Sequence, residues 1–194
     1  MSVEIQPWRV TSSTVLREDA WIRLREETCV TPAGAVVSPF YVLDYPDFVH
    51  IVPFAADHRV LLVEQYRHGL GVVTLEIPAG RFDPGESDPL VVAARELKEE
   101  TGCEAAELRL LQVTSPNPSS HSNRIHTVLA TGVRQVGAPH PEASEDIRSR
   151  WTPPESAFRA VLEGEIVTSM QAASLLVGLH AIGRLGLLPT IDGF

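Results

Sequence analysis

The first 45 residues carry short hydrophobic runs separated by polar and turn-forming residues, a pattern that predicts β-strands. These runs cover residues 9–15, 21–30 and 36–43, with a Pro- and Gly-containing turn at residues 31–34. Tyr45-Pro46-Asp47 then interrupts the pattern. We therefore expect a small N-terminal antiparallel β portion over residues 1–46 and a main domain over residues 47–194.

The main domain alternates further strand-like runs with a helical segment. The strand-like runs cover residues 49–54, 60–63, 72–77, 108–114, 124–131 and 147–151. Asp88 is suited to an N-cap and Pro89 to the first helical position, so a helix is expected to begin there. It should continue to about Thr101 and end at Gly102.

Two more helices are expected near the C-terminus. One follows the Thr-Pro-Pro sequence at residues 152–154 and ends at Gly164, and the other is capped by Ser169 and continues to about Arg184. Strands interleaved with helices, and a pair of helices at the end, favour an α/β fold with an α/β/α layered main domain.

The composition limits the classes of function. Of the 194 residues, 44% are hydrophobic and 21% are charged, as in ordinary globular domains. The formal net charge of −9 argues against nucleic-acid binding, which normally needs a basic surface. A small phosphorylated substrate is still compatible with this charge if a bound cation supplies positive charge locally.

No segment has the pattern of a membrane anchor. The first 20 residues lack an apolar run of signal-peptide length, and the apolar residues 174–188 are too few to cross a bilayer and include His180 and Arg184. We expect a cytoplasmic protein that does not bind membranes. Cys29 and Cys103 lack metal-site spacing, so reduced, buried thiols are expected.

The predicted helix at residues 89–101 carries an unusual set of acidic residues. Leu90, Ala94, Leu97 and Thr101 are expected to share the face that packs on the sheet. On an adjacent face, the glutamates stand at i, i+3 and i+4, close enough to converge on one point. These glutamates are Glu96, Glu99 and Glu100.

Two interpretations of these glutamates stay open from the helix alone. A run of charge is usually a solvated face. However, like charges at this spacing repel each other by a few tenths of a kcal/mol per pair, which a hard divalent cation would cancel. Of the lysines that normally interleave a solvated face, only Lys98 occurs here.

The residues before the helix add a motif that resembles the Nudix box. Its pattern is Gly, five residues, Glu, seven residues, Arg-Glu-apolar, one residue, Glu-Glu, one residue, Gly-apolar. The match runs from Gly80 to Cys103 through Glu86 and Arg95. One departure is that eight residues, not seven, separate Glu86 from Arg95, and an inserted Ser87 in the loop accounts for it without changing the helical register.

The resemblance implies a Nudix α/β/α sandwich with a mixed sheet that hydrolyses a diphosphate with Mg²⁺ or Mn²⁺. Arg95 would support Glu86, and Glu99 would be a metal ligand or would position water. The implied metal ligands are Ala79 (through its carbonyl), Glu96, Glu99 and Glu100. The implied catalytic residues are Arg95, Glu99 and Glu145, the last in an acidic loop in which Glu142 is the alternative.

Flanking segments narrow the resemblance to ADP-ribose pyrophosphatases. Gln65-Tyr66-Arg67 is similar to their QYR segment, and residues 76–80, Glu-Ile-Pro-Ala-Gly, to their E-[LI]-PAG segment. Pro118 has the spacing of their specificity proline, although the usual Ser-Pro-Gly is replaced here by Ser-Pro-Asn-Pro. The resemblance thus implies that Arg67, Glu76 and Pro118 bind substrate, that ADP-ribose is hydrolysed, and that the protein is a homodimer.

Alternatives remain at this point. The altered loop at residues 116–123 keeps open another Nudix substrate, such as GDP-mannose, another sugar nucleotide or a dinucleoside polyphosphate. A catalytically silent Nudix ligand sensor is a second alternative, against which the intact glutamates argue. His121 and His126, beside this loop, are expected to be structural, since carboxylates already supply oxygen ligands.

Overall fold

The computed structural model describes residues 4–140 and 146–185. These residues form two compact units, which are described separately. The first contains the N-terminal residues up to Pro46 together with residues 115–124, and the second contains residues 47–114 and the described residues after 124. The loop that contains Pro118 therefore belongs with the N-terminal strands.

The first unit is a three-stranded antiparallel sheet in the order β1-β2-β3. Its strands are β1 (Arg9–Glu18), β2 (Arg23–Val30) and β3 (Val36–Asp44). The loop of residues 115–124 attaches to β3, because the Leu43 N–H donates to the Ser120 carbonyl (2.8 Å) and the Ser122 N–H to the Leu43 carbonyl (3.1 Å). These two bonds fix the loop beside the end of β3.

The second unit contains a seven-stranded mixed sheet and a two-stranded one. The large sheet has the order β12-β5-β4-β10-β9. In addition, β6 pairs with β5, and β7 pairs with β4. Strands β4 and β10 are parallel, and the other pairs are antiparallel. The small sheet pairs β8 with β11. The strands are β4 (Phe48–Phe54), β5 (Val60–Arg67), β6 (Val72–Glu76), β7 (Ala79–Arg81), β8 (Cys103–Glu104), β9 (Glu107–Thr114), β10 (Ile125–Thr131), β11 (Arg134–Gln135) and β12 (Ile147–Thr152).

Helices cover both faces of the large sheet. They are α1 (Pro89–Thr101), α2 (Pro154–Leu162) and α3 (Ser169–Ala181). Along β4, Ile51 faces a core formed with α1, whereas Val52 faces a second core formed with α2 and α3. This alternation follows from the two-residue repeat of a strand. The predicted α/β/α layering is therefore confirmed.

Helix α1 begins and ends where the sequence predicts. The Asp88 side chain accepts a hydrogen bond from the Leu90 N–H (2.9 Å), and Pro89 is the first helical residue. Gly102 has φ 68°, which favours glycine, and a Cβ there would lie 2.3 Å from the Gly137 carbonyl oxygen. Close contact with the following loop thus requires glycine at this helix end.

The expected buried face of α1 was wrong in one position. Ala94 is exposed, whereas Val92, Ala93 and Leu97 are buried. The packed row is Ala93, Leu97 and Thr101, each four residues apart, so the helix is rotated from the expected orientation. Because Ala93 and Ala94 are adjacent and identical, the sequence pattern cannot distinguish these two orientations of the helix.

The last helix, α3, differs in detail from expectation. Thr168, not Ser169, is the N-cap of α3, and it makes no side-chain capping bond; the helix ends at Ala181 rather than near Arg184. No helix in the described ranges is long and apolar enough to cross a membrane. Cys29 and Cys103 are both free and buried, as expected.

Candidate active site

A bidentate ion pair joins α1 to the loop before it. Arg95 donates from Nε to Glu86 Oε1 (3.1 Å) and from Nη2 to Glu86 Oε2 (2.9 Å), and Nη2 also donates to the Arg81 carbonyl (3.1 Å). The loop itself is closed by the Asp83 N–H, which donates to Glu86 Oε2 at 2.8 Å. The predicted contact between Arg95 and Glu86 is therefore present despite the inserted Ser87.

The same guanidinium contacts two of the glutamates of α1. Arg95 Nη1 donates to Glu96 Oε1 (2.8 Å) and to Glu99 Oε2 (3.0 Å). The hydrogen bonds to Glu86 raise the pKa of Arg95 above its ordinary value in spite of partial burial, and the charge of Glu96 and hydrogen bonds to Glu99 and Glu96 add to this effect. Arg95 thus remains a cation that offsets the repulsion among neighbouring carboxylates.

The third glutamate lies against the strand that precedes the loop. Glu100 is buried, and its Oε2 accepts a hydrogen bond from the Ala79 N–H at 3.2 Å. A Cβ on Gly80 would stand 1.9 Å from Glu96 Cδ and 2.0 Å from Glu96 Oε1. Glycine at this position therefore makes the space that the Glu96 carboxylate fills.

The donor set fits a hard divalent cation. The carboxylates of Glu96 and Glu100 adjoin β7 and that of Glu99 contacts Arg95, and Mg²⁺ prefers oxygen ligands of this kind. Among the described residues, however, no three His, Cys, Asp or Glu side chains come together at one point. The expected convergence of Glu96, Glu99 and Glu100 is thus not formed by these side chains, because Arg95 and the Ala79 N–H draw the carboxylates to different partners.

A second ion pair lies at the ends of β5 and β6. Arg67 donates from Nε to Glu76 Oε1 (2.7 Å) and from Nη2 to Glu76 Oε2 (2.5 Å). Glu76 is 1% exposed, whereas the side chain of Arg67 is 44% exposed. Burial raises the pKa of Glu76, but hydrogen bonds from Arg67, Thr74 and Gln171 outweigh burial and leave this pKa below its ordinary value. The pair therefore presents a fixed guanidinium at the surface.

Comparisons with known families agree with this geometry. A NUDIX domain model matches residues 44–170, and a model described as the nucleoside diphosphate sugar hydrolase N-terminal domain matches residues 8–43. The chain belongs to the NUDIX domain family. The prediction of a Nudix diphosphate hydrolase is thereby confirmed.

Several relatives share most of the chain. An ADP-ribose pyrophosphatase from Mycobacterium tuberculosis is 36% identical over 172 residues, which are 88% of this chain and 82% of the relative. A hydrolase of CMP-5'-(N-acetyl-N-hydroxy-3-aminopropyl)phosphonate from Streptomyces rubellomurinus is 30% identical over 89% of this chain and 82% of its own length. The crystal structure of an ADP compounds hydrolase has the same fold, with a TM-score of 0.79, 23% identity and coverage of 94% of this chain and 100% of that chain.

Nudix hydrolases generally need a divalent metal ion such as Mg²⁺. In this Nudix fold, the predicted carboxylate ligands lie on α1, and the backbone neighbour of Glu100 is Ala79 in β7. The oxygen chemistry of these groups is suited to such an ion, and Gly80 leaves the space in which the Glu96 carboxylate lies.

Pro118 and Glu145 are predicted site residues in loops outside the Nudix box of this chain. Pro118 is exposed, in a turn of the first unit in which the Ser120 N–H donates to the Asn117 carbonyl (3.1 Å). Glu145, like the alternative Glu142, lies outside the described residues. The chain just before them is held at the end of α1, since the His140 N–H donates to the Glu99 carbonyl at 2.8 Å.

The two histidines expected to be structural have aromatic and polar partners. His121 stacks on Tyr45 with a centroid distance of 5.7 Å, and His126 Nε2 lies 3.0 Å from Asp47 Oδ2. Sequence reasoning missed another polar residue beside the Arg67–Glu76 pair, Gln171. The available signal was a glutamine near the start of a helix composed mostly of apolar residues.

Proposed function

We propose that this Nudix enzyme hydrolyses the diphosphate linkage of a nucleoside diphosphate sugar with Mg²⁺, and that ADP-ribose is the substrate, giving AMP and ribose 5-phosphate. The observation that carries the proposal is the guanidinium of Arg95, which ties the loop carboxylate Glu86 to the glutamates of α1 beside Gly80. The likeness to an ADP-ribose pyrophosphatase over most of the chain supports the choice of substrate.

The glutamates of α1 are assigned to the metal ion. Glu96, Glu99 and Glu100 would hold it together with the Ala79 carbonyl, and Mn²⁺ would suit the same oxygen donors. When bound, the ion neutralises the diphosphate and makes a bound water more acidic. Of the two α1 glutamates that pair with Arg95, Glu99 is the more exposed, with 46% of its side chain accessible against 13% for Glu96, so it is also suited to position water.

The remaining assignments concern substrate binding and proton transfer. Arg67 binds a phosphate, and Glu76 fixes the orientation of its guanidinium. Pro118 adjoins the substrate, and Glu145 accepts the proton of the attacking water. In the net reaction the water oxygen bonds to one phosphorus while the bridging P–O bond breaks, and two phosphate monoester dianions and two protons are released.

A homodimer is part of the proposal. All ten residues of the edge strand β1 are exposed, and they include the large apolar side chains Val10, Val15 and Leu16. An exposed apolar edge strand favours association with another chain. Light scattering should give twice the chain mass of 21.2 kDa for the wild type and a smaller mass for Leu16→Glu, whereas a monomeric wild type would contradict this part.

A second nucleotide substrate is favoured by one specific observation. The relative from Streptomyces rubellomurinus covers as much of this chain as the ADP-ribose pyrophosphatase does, and it is named as a hydrolase of a CMP derivative. The test of the nucleoside therefore includes compounds of all four bases.

The test is a panel of nucleoside diphosphate compounds incubated with Mg²⁺ and scored for release of nucleoside monophosphate. ADP-ribose should give AMP faster than GDP-mannose, other sugar nucleotides and dinucleoside polyphosphates. Glu100→Gln keeps an oxygen for the Ala79 N–H, so it should fold normally but lose about 100-fold or more in kcat through the lost charge. Glu104→Gln is the matched control, at a half-buried glutamate just beyond α1 that pairs with Lys98 (2.8 Å).

Failure would take two forms. A folded wild type that cleaves no member of the panel would contradict the proposed activity. Full activity in Glu100→Gln would contradict the assignment of Glu100 to the metal ion. Preference for a cytidine or guanosine compound would replace ADP-ribose and leave the chemistry in place.

A further inference from the structure

Gln171, on α3, makes two buried hydrogen bonds to the segment that leads into the Nudix box. Its Nε2 donates to Glu76 Oε2 at 2.7 Å, and its Oε1 accepts from the Ile77 N–H at 2.8 Å. Gln171 is 3% exposed. The orientation of the amide is fixed by its partners, because a backbone N–H only donates and an ionised carboxylate only accepts.

Through Glu76, this glutamine acts on the guanidinium of Arg67. The Glu76 carboxylate is surrounded by donors: two from Arg67, one from Thr74 (2.5 Å) and one from Gln171. A buried carboxylate stays ionised only when such donors replace water, and the ionised form orients the Arg67 fork. Loss of the Gln171 donor would therefore loosen the group assigned to the substrate phosphate.

Through Ile77, the same side chain acts on the strand that adjoins the glutamates. Three successive residues are held by three different elements: the Ile77 N–H by α3, the Pro78 carbonyl by the Ile51 N–H of β4 (2.9 Å), and the Ala79 N–H by Glu100 of α1 (3.2 Å). Since α1 and α3 cover opposite faces of the sheet, the segment is held from both layers.

We propose that Gln171 is a positioning residue for diphosphate hydrolysis, which sets the orientation of Arg67 through Glu76 and the path of residues 77–79 through the Ile77 N–H. The inference rests on the proposed function, because it needs Arg67 to bind a phosphate of the substrate. It extends the site to α3, a helix outside the Nudix box.

Two substitutions separate the two bonds. Gln171→Glu keeps an acceptor for the Ile77 N–H but places a carboxylate against Glu76, whereas Gln171→Met has a similar length and removes both bonds. Ser174→Ala is the matched control: Ser174 lies one turn along α3 and is 2% exposed, and its hydroxyl is hydrogen-bonded to His50 (3.0 Å) and Thr127 (2.8 Å) rather than to Glu76 or Ile77.

Three measurements are made on each full-length variant. They are KM and kcat for ADP-ribose with Mg²⁺, the Tm, and hydrogen exchange at the Ile77 amide. Both Gln171 variants should raise KM by about tenfold or more, as expected for a lost hydrogen bond to a charged group. Ser174→Ala should lower the Tm about as much as the Gln171 variants do, because it also removes buried hydrogen bonds. It should change KM by less than about twofold.

Hydrogen exchange distinguishes the two bonds without any turnover. The Ile77 amide should exchange faster in Gln171→Met than in the wild type, and it should stay protected in Gln171→Glu. Unchanged exchange in Gln171→Met, or a KM change no larger than that of Ser174→Ala, would overturn the inference. An inactive, folded wild type would instead contradict the proposed function, so the two failures are distinguishable.

Discussion

Arg95 reaches Glu86 with both arms of its guanidinium, at 3.1 Å from Nε and 2.9 Å from Nη2, across eight intervening residues where the Nudix pattern has seven. The extra residue is accommodated before Asp88, which still caps α1. Because the cap fixes where the helix begins, Arg95 keeps the helical position from which it also contacts Glu96 and Glu99. The departure from the family pattern therefore leaves the hydrogen bonds of Arg95 to Glu86 and to the α1 glutamates intact.

Replacing this guanidinium by a simple ammonium should impair the site. In Arg95→Lys one point charge cannot serve both Glu86 and the α1 glutamates with planar, bidentate geometry. We expect kcat/KM to fall by about tenfold or more, since each hydrogen bond between charged groups contributes roughly 1.5–3 kcal/mol. Arg81→Lys, at the end of β7 and in a pair with Asp83 at 3.7 Å, serves as control. Wild-type kinetics in Arg95→Lys would contradict the role of the Arg95 guanidinium in positioning these carboxylates.

A methyl group on Gly80 should separate activity from stability. In Gly80→Ala the added Cβ would meet Glu96 Cδ at 1.9 Å, and a glutamate side chain moves aside more readily than backbone does. We therefore expect a folded protein with a Tm within a few degrees of the wild type, but with activity strongly reduced because the Glu96 carboxylate is displaced.

The control for this substitution is Gly69→Ala, where an added Cβ has no neighbour within 4 Å. Steady-state kinetics and thermal unfolding are measured on both variants. An active Gly80→Ala protein would show that the position of Glu96 beside β7 is not needed for the reaction.

Local signals predicted α1 well. Its start depends on Asp88 and its end on Gly102, and the partners of both lie within a few residues, the Leu90 N–H and the Lys98 carbonyl. Capping is therefore visible in the sequence. The spacing of the Nudix box could likewise be recognised because loop and helix are contiguous, and the predicted Arg95–Glu86 contact follows from that spacing.

Contacts between distant segments could not be predicted in the same way. Gln171 and Glu76 are 95 residues apart, and only the packing of α3 on the sheet brings them together. The choice between Ala93 and Ala94 for the buried face depended on how α1 rotates against the sheet. The attachment of residues 115–124 to β3 through Leu43 arises from backbone bonds, which carry no side-chain signature.

Metal addition offers a readout that does not depend on turnover. If the α1 glutamates hold Mg²⁺, a concentration about 100 times the dissociation constant should stabilise the fold by about 2.7 kcal/mol and raise the Tm. Glu96→Gln should reduce this increase, whereas Glu104→Gln should not. Chelation should leave the fold intact, since the two cores are apolar. A Tm that responds equally to Mg²⁺ in the wild type and in Glu96→Gln would contradict the assignment.

The N-terminal unit should contribute an acid-sensitive part of the stability. Asp44 accepts a bidentate pair from Arg25 (2.7 and 3.1 Å) and further bonds from Arg23 (3.1 Å) and Ser122 (2.6 Å). Arg25 above all lowers the pKa of Asp44 from 3.8 to about 2, against the opposing effect of burial. A carboxyl whose folded pKa is depressed stabilises the fold above its unfolded pKa, and this contribution is lost as the pH falls through the folded value.

Asp44→Asn should therefore lower the free energy of unfolding by about 2 kcal/mol at pH 7, and the difference from the wild type should shrink between about pH 4 and pH 2. Urea unfolding at pH 7, 4 and 3 measures this difference, and Glu4→Gln, at an exposed position, controls for general charge. A difference that stays constant from pH 7 to pH 3 would mean that the carboxylate of Asp44 is not stabilised by Arg25. In that case loss of hydrogen bonding alone would explain any effect of the substitution.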